Sequence, residues 1–350
     1  MSDSGGAVLG RCRLGPVIGQ GAMGIVYEAT HLTLNIPVAV KVLREPAYGE
    51  DSFRYRERFR REARIAAKLN HPGLVRVLDF GEEGELPYIV MELVRGHTLD
   101  QLLRKHGQLS EKLALQVVGH MAVAISYAHA NGVSHRDLKP SNILLERGAA
   151  LKISDLGLAR EQASPGITLA TGLVGTPHYM APEAWDPGKP PDLRSDIYSM
   201  GVILYQMVFA QLPYSGSPTQ ILRGHVSGSP PWTAPSGGYA PSGDVVRLIR
   251  CLMEKDPDRR IQTAVQVVEE CQRQLSRMDP SREAEPRSAT ASDSGTDDSR
   301  SLAVRLGNRL EAVSLHDGKR VLHTSGRERI LLWVLLAALF GGALAGWIFL

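Results

Sequence analysis

The stretch Ser134–Leu145, SHRDLKPSNILL, decides the fold class of this chain. It places a histidine, an arginine, an aspartate, a lysine and an asparagine within eight positions and then becomes apolar. The apolar run LALQVVGHMAVAISYAHA precedes it and stops at Asn131-Gly132, a pair that commonly ends helices. The segment ALKISDLGLAR follows it with strand-like character. We therefore predict a polar loop that leads from a long helix into a short β-hairpin.

The composition is that of an ordinary globular protein with room for a sizeable core. Of 350 residues, 43% are hydrophobic and 22% are charged, as in a typical folded domain. The net charge of +3 gives no case for a nucleic-acid partner, which would call for a concentrated basic face. Cys12, Cys251 and Cys271 are widely spaced and form no CxxC pair. We therefore expect reduced thiols, and neither disulfides nor a zinc site.

The last twenty residues, Leu331–Leu350, predict a membrane anchor. LLWVLLAALFGGALAGWIFL contains no charged residue, and eleven of its residues are Leu, Ile, Val or Phe. Twenty helical residues span about 30 Å, the thickness of the hydrocarbon core of a bilayer. A helix in a soluble core seldom lacks any polar face. Gly342 and Gly346 form a GxxxG motif that lets two such helices pack closely, which leaves a homodimer as an open alternative.

Basic residues before this segment set its expected orientation. They are Lys319, Arg320, Arg327 and Arg329. By the positive-inside rule, we expect a single-pass protein of the cell membrane whose preceding domain lies in the cytoplasm. The N-terminal sequence MSDSGGAVLG has no basic region followed by an apolar run, so no signal peptide is expected.

The chain divides into four parts by composition. We expect a folded domain over 10–275, a disordered linker over 276–301, a juxtamembrane segment over 302–329 and a transmembrane helix over 330–350. The linker is rich in Ser, Asp, Glu and Arg and has almost no large apolar residue. Such a segment cannot bury enough surface to offset the chain entropy lost on folding.

The folded domain changes character between residues 90 and 97. The β-branched runs GIVYEA, IPVAVKVL, LVRVLDF and PYIVMEL predict strands before this point, with one helix over Ser52–Leu69. The later sequence is mostly helical, and SDIYSMGVILYQMVFA is apolar nearly all round, so this helix should be central and buried. The predicted fold class is α+β, with two lobes. A small β-rich lobe carrying one main helix packs on a larger helical lobe, with a cleft between them and the transmembrane helix at the C-terminus.

Glycines near the N-terminus predict a phosphate cradle. Gly19–Val26, GQGAMGIV, fits G-x-G-x-x-G-x-V, but the same glycine spacing also opens dinucleotide-binding folds. A dinucleotide site needs a helix directly after the glycines, whereas IVYEATH here resembles a strand and VAVKVL its hairpin partner. Glycines in a hairpin turn bring backbone N–H groups close to phosphates because no Cβ intervenes.

A lysine and a glutamate behind the glycines form a hypothetical pair. Lys41 lies in the strand VAVKVL, and Glu62 lies in the helix after it. Glu62 falls in an apolar stripe made by Phe59, Ala66 and Leu69, whereas Arg60, Arg61 and Arg64 point outward. A carboxylate in an apolar stripe needs a partner. Lys41 is the available cation, and a lysine held in this way could bind phosphate oxygens.

Phosphoryl transfer from a nucleotide needs four groups, and the sequence offers each of them. The groups are a cradle for the phosphates, ligands for a divalent metal, a residue that orients the acceptor hydroxyl, and positive charge for the transferring oxygens. The matching residues are Gly19–Gly24 with Lys41, then Asp155 with Asn142, then Asp137, then Lys139.

At this point the chain resembles the eukaryotic-type (Hanks-type) serine/threonine protein kinase family, over residues 10–275. The motifs that carry the resemblance are GxGxxGxV at 19–26, VAVK at 38–41, HRDLKPSN at 135–142, DLG at 155–157 and APE at 181–183. The form DLKPSN, with Lys139, and the stretch GTPHYMAPE are typical of serine/threonine kinases. GQGAMGIVYEA and FRREARIAAKLNHPGLVRVLDFGEE look similar to bacterial members. The resemblance implies phosphorylation of serine and threonine hydroxyls on protein substrates.

The resemblance also assigns roles. Asp137 would be the catalytic base, assisted by Lys139, and Asn142 and Asp155 would hold Mg²⁺, with Mn²⁺ as an alternative. Lys41, paired with Glu62, would bind the α- and β-phosphates of ATP. The nucleotide would contact Ile18, Gly19, Gln20, Gly21, Ala22, Met23, Gly24, Ile25, Val26, Ala39, Lys41, Met91, Glu92, Leu93, Val94 and Leu144. Asp196 would brace the catalytic loop, and Glu183 would pair with Arg260.

Two features concern regulation. Arg136 beside the base implies control by a phosphorylated activation loop, for which Thr168 and Thr171 are the candidate sites. Leu156 replaces the usual Phe of the DFG motif. Both residues are apolar and the metal ligand Asp155 is kept, so we expect activity, although the balance between active and inactive states could differ. The alternative is a pseudokinase scaffold, but the lysine, the base and the metal ligands that such proteins usually lack are all present.

Overall fold

The computed structural model describes residues 7–21, 24–43, 52–84, 86–146, 151–156, 177–186, 188, 191–233 and 237–278. The first three residues of the predicted linker, 276–278, are helical and end the helix Ala264–Met278. The rest of the predicted linker, the juxtamembrane segment and the transmembrane helix lie outside these residues, as do Ala22, Met23, Thr168 and Thr171. The described elements show the predicted α+β division, with a sheet and one helix first and a mainly helical part after it.

The first part is built on an antiparallel six-stranded sheet in the order β1-β2-β3-β4-β6-β5. Its strands are β1 (Val8–Leu9), β2 (Cys12–Gly21), β3 (Gly24–His31), β4 (Ile36–Leu43), β5 (Val77–Glu83) and β6 (Leu86–Glu92). The runs that were predicted as strands form β3 to β6. Strand β2 lacked a strand pattern because it contains three glycines and Pro16, and its register with β3 shifts between Leu14 and Val17. A bulge is a place where a strand tolerates proline.

The two faces of this sheet bury different clusters. Ala39 and Leu43 of β4 pack with Ile89 and Met91 of β6 beneath helix α1 (Ser52–Lys68). Val38 and Val40, which alternate with them along the strand, pack on the opposite face with β1 and β2. Lys41 is in phase with Ala39 and Leu43, so its side chain lies on the α1 face of the sheet.

Helix α1 packs by the predicted apolar stripe. Phe59, Ala63 and Ala66 are at most 7% exposed, and Leu69 just after the helix is equally buried. Glu62 is half-buried at the edge of this stripe.

The second part carries a small sheet and six helices among the described residues. The sheet has the order β7-β8-β9, with β7 (Gly96–Thr98), β8 (Ile143–Glu146) and β9 (Leu151–Ile153). The helices are α2 (Leu99–His106), α3 (Glu111–Ala130), α4 (Arg194–Phe209), α5 (Pro218–Ser227), α6 (Gly243–Leu252) and α7 (Ala264–Met278). The predicted β-hairpin after the polar loop is therefore present as β8 and β9.

Helices α3 and α4 form the centre of the core. In α4, fourteen of the sixteen residues are buried, from Ser195 to Phe209 with Gln206 as the exception. In the part of the chain that the structure describes, α3 alone has the length and hydropathy of a membrane span, and 67% of the apolar window is buried inside the protein. Such burial identifies α3 as a core helix. The cysteines are free thiols, as expected, with Cys12 and Cys271 buried and Cys251 exposed.

Candidate active site

The polar loop between α3 and β8 folds around the side chain of Asp137. The Lys139 ammonium donates a hydrogen bond to Asp137 Oδ2 at 2.7 Å. The Asn142 amide nitrogen donates to the Asp137 carbonyl oxygen at 2.9 Å and lies 3.4 Å from Oδ2. A short 3-10 helix over Pro140–Asn142 turns the chain so that these side chains converge. The structure thus brings together the predicted base, its lysine and one predicted metal ligand.

Asp196, at the start of α4, binds the backbone of this loop. Its Oδ1 accepts from the backbone N–H of Arg136 at 2.8 Å, and its Oδ2 accepts from the backbone N–H of His135 at 2.8 Å. Oδ2 also accepts from the Ser134 hydroxyl at 3.0 Å. Burial raises the pKa of Asp196, but the hydrogen bond and electrostatic effect of His129, with a contribution from His135, outweigh burial and hold this pKa below its ordinary value. The predicted brace of the catalytic loop is therefore present.

Two histidines complete the support. His129 Nε2 lies 2.8 Å from Asp196 Oδ2. His135 is 1% exposed, and its Nε2 bonds to the carbonyl oxygen of Ser154 at 2.8 Å while its Nδ1 accepts from the Asp137 N–H at 3.3 Å. His135 therefore ties the loop of Asp137 to the residue before Asp155. Sequence analysis missed His129, for which the one available signal was a polar residue in the last turn of an apolar helix.

The Lys41 ammonium bonds to Asp155 Oδ1 at 2.6 Å. Burial raises the pKa of Asp155, but the nearby Lys41 charge outweighs this effect and holds that pKa below its ordinary value. The carboxylate that the structure places against the ammonium is that of Asp155. The expected pairing of Lys41 with Glu62 stays a prediction.

Two residues of the site have left-handed backbone conformations. The φ angle is +63° at Arg136 and +60° at Asp155. Residues other than glycine rarely adopt this region, and such conformations concentrate at functional sites. Arg136 directly precedes the candidate base Asp137, and Asp155 is itself a candidate metal ligand.

The glycine-rich segment forms the turn between β2 and β3, as predicted for a hairpin. Gly19 lies opposite Val26 and Gly21 opposite Gly24, whereas Ala22 and Met23 at the tip lie outside the described residues. A Cβ at Gly24 would lie 2.2 Å from the Val42 carbonyl oxygen, so Gly24 allows close strand contact. At Gly21 a Cβ would have no described atom within 4 Å, so the space beside this glycine is open.

The predicted adenine-contacting residues lie on the first sheet, in the segment that follows β6, and on β8. Val26, Ala39, Met91 and Leu93 belong to one apolar cluster beneath the sheet. Ile18 is 49% exposed on β2. Glu92 ends β6, and Leu93 and Val94 continue from it toward the second part of the molecule, where Leu144 lies half-buried on β8.

Asn142 and Asp155 fit a magnesium ion by their chemistry. The Asn142 amide nitrogen is directed to Asp137, so the amide oxygen is the atom that remains for a ligand. The Asn142 carbonyl accepts from the Ser154 N–H at 2.9 Å, which keeps Asn142 next to the segment of Asp155. Asp155 Oδ1 is bonded to Lys41, and its second oxygen remains. Amide and carboxylate oxygens are the ligands that Mg²⁺ prefers.

The predicted pair of Glu183 and Arg260 is present and buried. Arg260 donates from both terminal nitrogens to the two Glu183 oxygens, at 2.7 and 2.9 Å. The side chains are 0% and 4% exposed. Glu183 belongs to the second of two short 3-10 helices, Pro177–Tyr179 and Pro182–Trp185, so the pair fixes this helix to the core.

Several known proteins are similar to this chain in sequence and in fold. Residues 13–271 match the family described as protein kinase domain. The chain is 40% identical over 265 residues to the serine/threonine-protein kinase PknB of Mycobacterium tuberculosis, a match that covers 73% of this chain and 42% of that protein. It is also 40% identical over 265 residues to a probable serine/threonine-protein kinase of Streptomyces coelicolor, covering 73% of this chain and 38% of that protein. The matched region is thus less than half the length of these curated relatives.

Two solved structures resemble the fold. The kinase domain of Mycobacterium tuberculosis PknI matches with a TM-score of 0.62 at 25% identity, over 78% of this chain and 99% of that one. Rad53 in complex with AMP-PNP matches with a TM-score of 0.60 at 30% identity, over 74% of this chain and 64% of that one. The family match covers most of the chain and includes every motif that forms the site. This chain belongs to the protein kinase domain family.

Proposed function

We propose that this chain is a serine/threonine protein kinase that transfers the γ-phosphoryl group of ATP to hydroxyls on protein substrates. The observation that carries the proposal is the convergence of Lys139 and Asn142 on Asp137, together with the bond between Lys41 and Asp155. These residues form the predicted set for phosphoryl transfer. The bacterial relatives that are named serine/threonine-protein kinases support the choice of acceptor.

Asp137 orients the acceptor. Its carboxylate accepts the proton of the incoming hydroxyl as the hydroxyl oxygen forms a bond to the γ-phosphorus. The bond between the γ-phosphorus and the bridging oxygen breaks, and ADP leaves with that electron pair. Lys139, already bonded to Asp137 Oδ2, supplies positive charge next to the transferring oxygens. The Asn142 amide bond to Asp137 keeps the carboxylate in place during the reaction.

Lys41 and the glycine turn hold the phosphates. Lys41 is 4% exposed, and its ammonium is held by the bond to Asp155 Oδ1, one of the proposed metal ligands. Mg²⁺ would be held by Asn142 and Asp155, and when bound it neutralises the charge on the phosphate oxygens. The purine would lie between Ala39 and Leu144, next to the Glu92–Val94 segment. The complex of Rad53 with AMP-PNP supports a nucleotide site in this fold.

Two finer parts of the proposal rest on the sequence. Autophosphorylation at Thr168 and Thr171 would place phosphate near Arg136. Membrane tethering by Leu331–Leu350 would keep the kinase domain at the cytoplasmic surface of the cell membrane in a signalling role. The first part is tested by mapping the labelled residues after autophosphorylation, with Thr168→Ala and Thr171→Ala as controls. The second is tested by membrane fractionation of the full chain and of a chain that stops before Leu331.

The test of the activity is transfer of labelled γ-phosphate by the full chain, with Mg²⁺ and a generic basic acceptor protein. Asp137→Asn removes the base while keeping the size of the side chain, and transfer should fall by about 10²- to 10⁴-fold. Asp258→Asn is the matched control, because the Asp258 side chain is 83% exposed and bonds to Arg194 and not to the loop of Asp137. Label on serine or threonine that disappears in the first variant supports the kinase.

Binding of nucleotide without transfer would contradict the proposal. This result, obtained with loop-phosphorylated wild-type protein, would favour the pseudokinase scaffold. Leu156→Phe would then be the first substitution to test for a gain of transfer.

A further inference from the structure

An ion pair joins the end of β6 to the small sheet of the second lobe. The Lys152 ammonium on β9 donates to Glu92 Oε1 at 2.7 Å, and the two side chains are 15% and 31% exposed. The same Glu92 oxygen accepts from the Arg76 backbone N–H at 2.9 Å. The Glu92 N–H in turn donates to the Arg76 carbonyl at 3.0 Å. Glu92 is therefore fixed by its backbone to Arg76, the residue before β5, and by its carboxylate to Arg76 and Lys152.

Lys152 lies directly across the small sheet from Leu144. These two residues are register partners in the antiparallel pair of β8 and β9. Directly opposed residues in such a pair place their side chains on the same face of the sheet. Lys152 thus shares a face with Leu144, which would line one face of the purine and is called the floor below. Its ammonium holds Glu92, the first residue of the Glu92–Val94 segment beside the purine, called the hinge below.

Backbone bonds connect the same two parts of the molecule nearby. The Val75 N–H donates to the Ile153 carbonyl and the Ile153 N–H donates to the Gly73 carbonyl, each at 2.9 Å. These bonds fix β9 beside the chain that enters β5. These backbone bonds do not reach the end of β6. Among the described residues, the next bond between the first sheet and β9 is that of Glu92 with Lys152, so this pair holds the end of β6.

We propose that Lys152 is a positioning residue for the purine end of the nucleotide, setting through Glu92 the gap between the hinge and the floor at Leu144. The inference rests on the proposed function, since it assumes that ATP binds in this cleft. Loss of the ammonium lets the hinge and the floor separate, and contacts on both faces of the purine weaken. The phosphate end should be unaffected, because Lys41 and Asp155 hold it independently of this pair.

The experiment compares binding of adenosine and of AMP-PNP with Mg²⁺ to the full chain by calorimetry. Lys152→Met keeps most of the length of the side chain but removes the charge, and Glu92→Gln keeps an oxygen for the Arg76 N–H. In each variant the Kd of both ligands should rise by the same factor, about 5- to 20-fold. The double variant should bind no more weakly than either single variant, because the two residues act as one pair. Lys105→Met, an exposed lysine on α2, is the matched control and should change neither Kd.

Lys41→Met separates the two ends of the nucleotide. It should weaken AMP-PNP and leave adenosine unchanged, whereas a purine-positioning residue affects both ligands equally. Thermal melting of every variant shows whether it is folded, and the isosteric Glu92→Gln tests the pair should Lys152→Met fail to fold.

Three results would overturn the role of Lys152. They are an unchanged Kd for adenosine in a folded Lys152→Met or Glu92→Gln variant, a change confined to AMP-PNP, and additive effects of the two substitutions. Wild-type protein that binds neither ligand would instead overturn the proposed function, and the inference with it.

Discussion

Two ion pairs, each between a basic side chain and a carboxylate, differ in burial and in bonding in this molecule. Lys41 and Asp155 meet across the cleft, where the side chains are 5% and 23% exposed. Arg260 and Glu183 meet in the helical lobe, where the side chains are 0% and 4% exposed. In each pair the carboxylate has a lowered pKa, because the neighbouring cation outweighs the effect of burial.

The difference lies in the bonding capacity that each pair leaves unused. The five N–H donors of Arg260 meet five acceptors: both oxygens of Glu183 and the backbone carbonyls of Arg194, Glu254 and Lys255. The ammonium of Lys41 has three donors, and the described residues give it one acceptor, Asp155 Oδ1. A saturated pair is a structural joint, whereas a pair with donors to spare is suited to bind a ligand.

The largest expected effect comes from breaking the saturated pair. Arg260→Met leaves the Glu183 carboxylate buried without its cation, which should lower the free energy of unfolding by about 3–5 kcal/mol. Urea denaturation of the full chain measures this loss. The double variant Glu183→Met with Arg260→Met should lose less, since no uncompensated charge remains. A single variant as stable as the wild type would show that the pair is not a structural joint.

Breaking the unsaturated pair should affect chemistry more than stability. Lys41→Met removes a cation from the phosphate site, so phosphoryl transfer should fall by about 10²- to 10³-fold, equivalent to about 2.7–4 kcal/mol of barrier. Its free energy of unfolding should change by less than that of Arg260→Met, because Asp155 is partly exposed and can regain water. Initial rates and urea titrations on the same preparations check both statements. A stability loss as large as that of Arg260→Met would remove the distinction.

Asp196 shares features with both pairs. Its carboxylate is buried and fully hydrogen-bonded, as in the Arg260–Glu183 pair, but it holds the catalytic loop. Asp196→Asn replaces one acceptor oxygen by a donor facing backbone N–H groups, and should cost about 1–3 kcal/mol of stability. We also expect kcat to fall with a nearly constant KM for ATP, since the loop of Asp137 is loosened and the nucleotide cleft is not. A KM change without a kcat change would place Asp196 with the nucleotide site.

The smallest effect is a pH dependence near Arg260. Burial, aided by the charge of Arg260, lowers the pKa of Lys255 to about 8, although Glu254 opposes this. The Lys255 ammonium bonds to Tyr198, Tyr214 and the Gly224 carbonyl, next to His225 and the pair of Arg260 with Glu183. Between pH 8 and the ordinary value of 10.5 the unfolded chain binds the proton that the folded chain has released, so stability should rise with pH in this window. Lys255→Met should remove this slope, and an unchanged slope would assign it to another group.

Sequence patterns predicted the local elements well where periodicity was strong. The helix expected over Ser52–Leu69 is Ser52–Lys68, and the long apolar helix ends at Ala130 just before Asn131-Gly132. Strands β1 and β7 were not predicted, because strands of two and three residues carry no periodicity and form only through their partners. The convergence of Lys139 and Asn142 on Asp137 followed from the motif, since these residues lie within six positions of the chain.

The sequence by itself determined the fold class and the chemical groups of the site, because helix and strand periods and short motifs are local properties. The partners of those groups were decided by tertiary structure. Lys41 meets Asp155 across 114 residues, Lys152 meets Glu92 across 60, and His129 meets Asp196 across 67. Such contacts depend on how the two lobes and the core helices pack, and a carboxylate is bonded by whichever cation the folded chain brings to within about 3 Å of it.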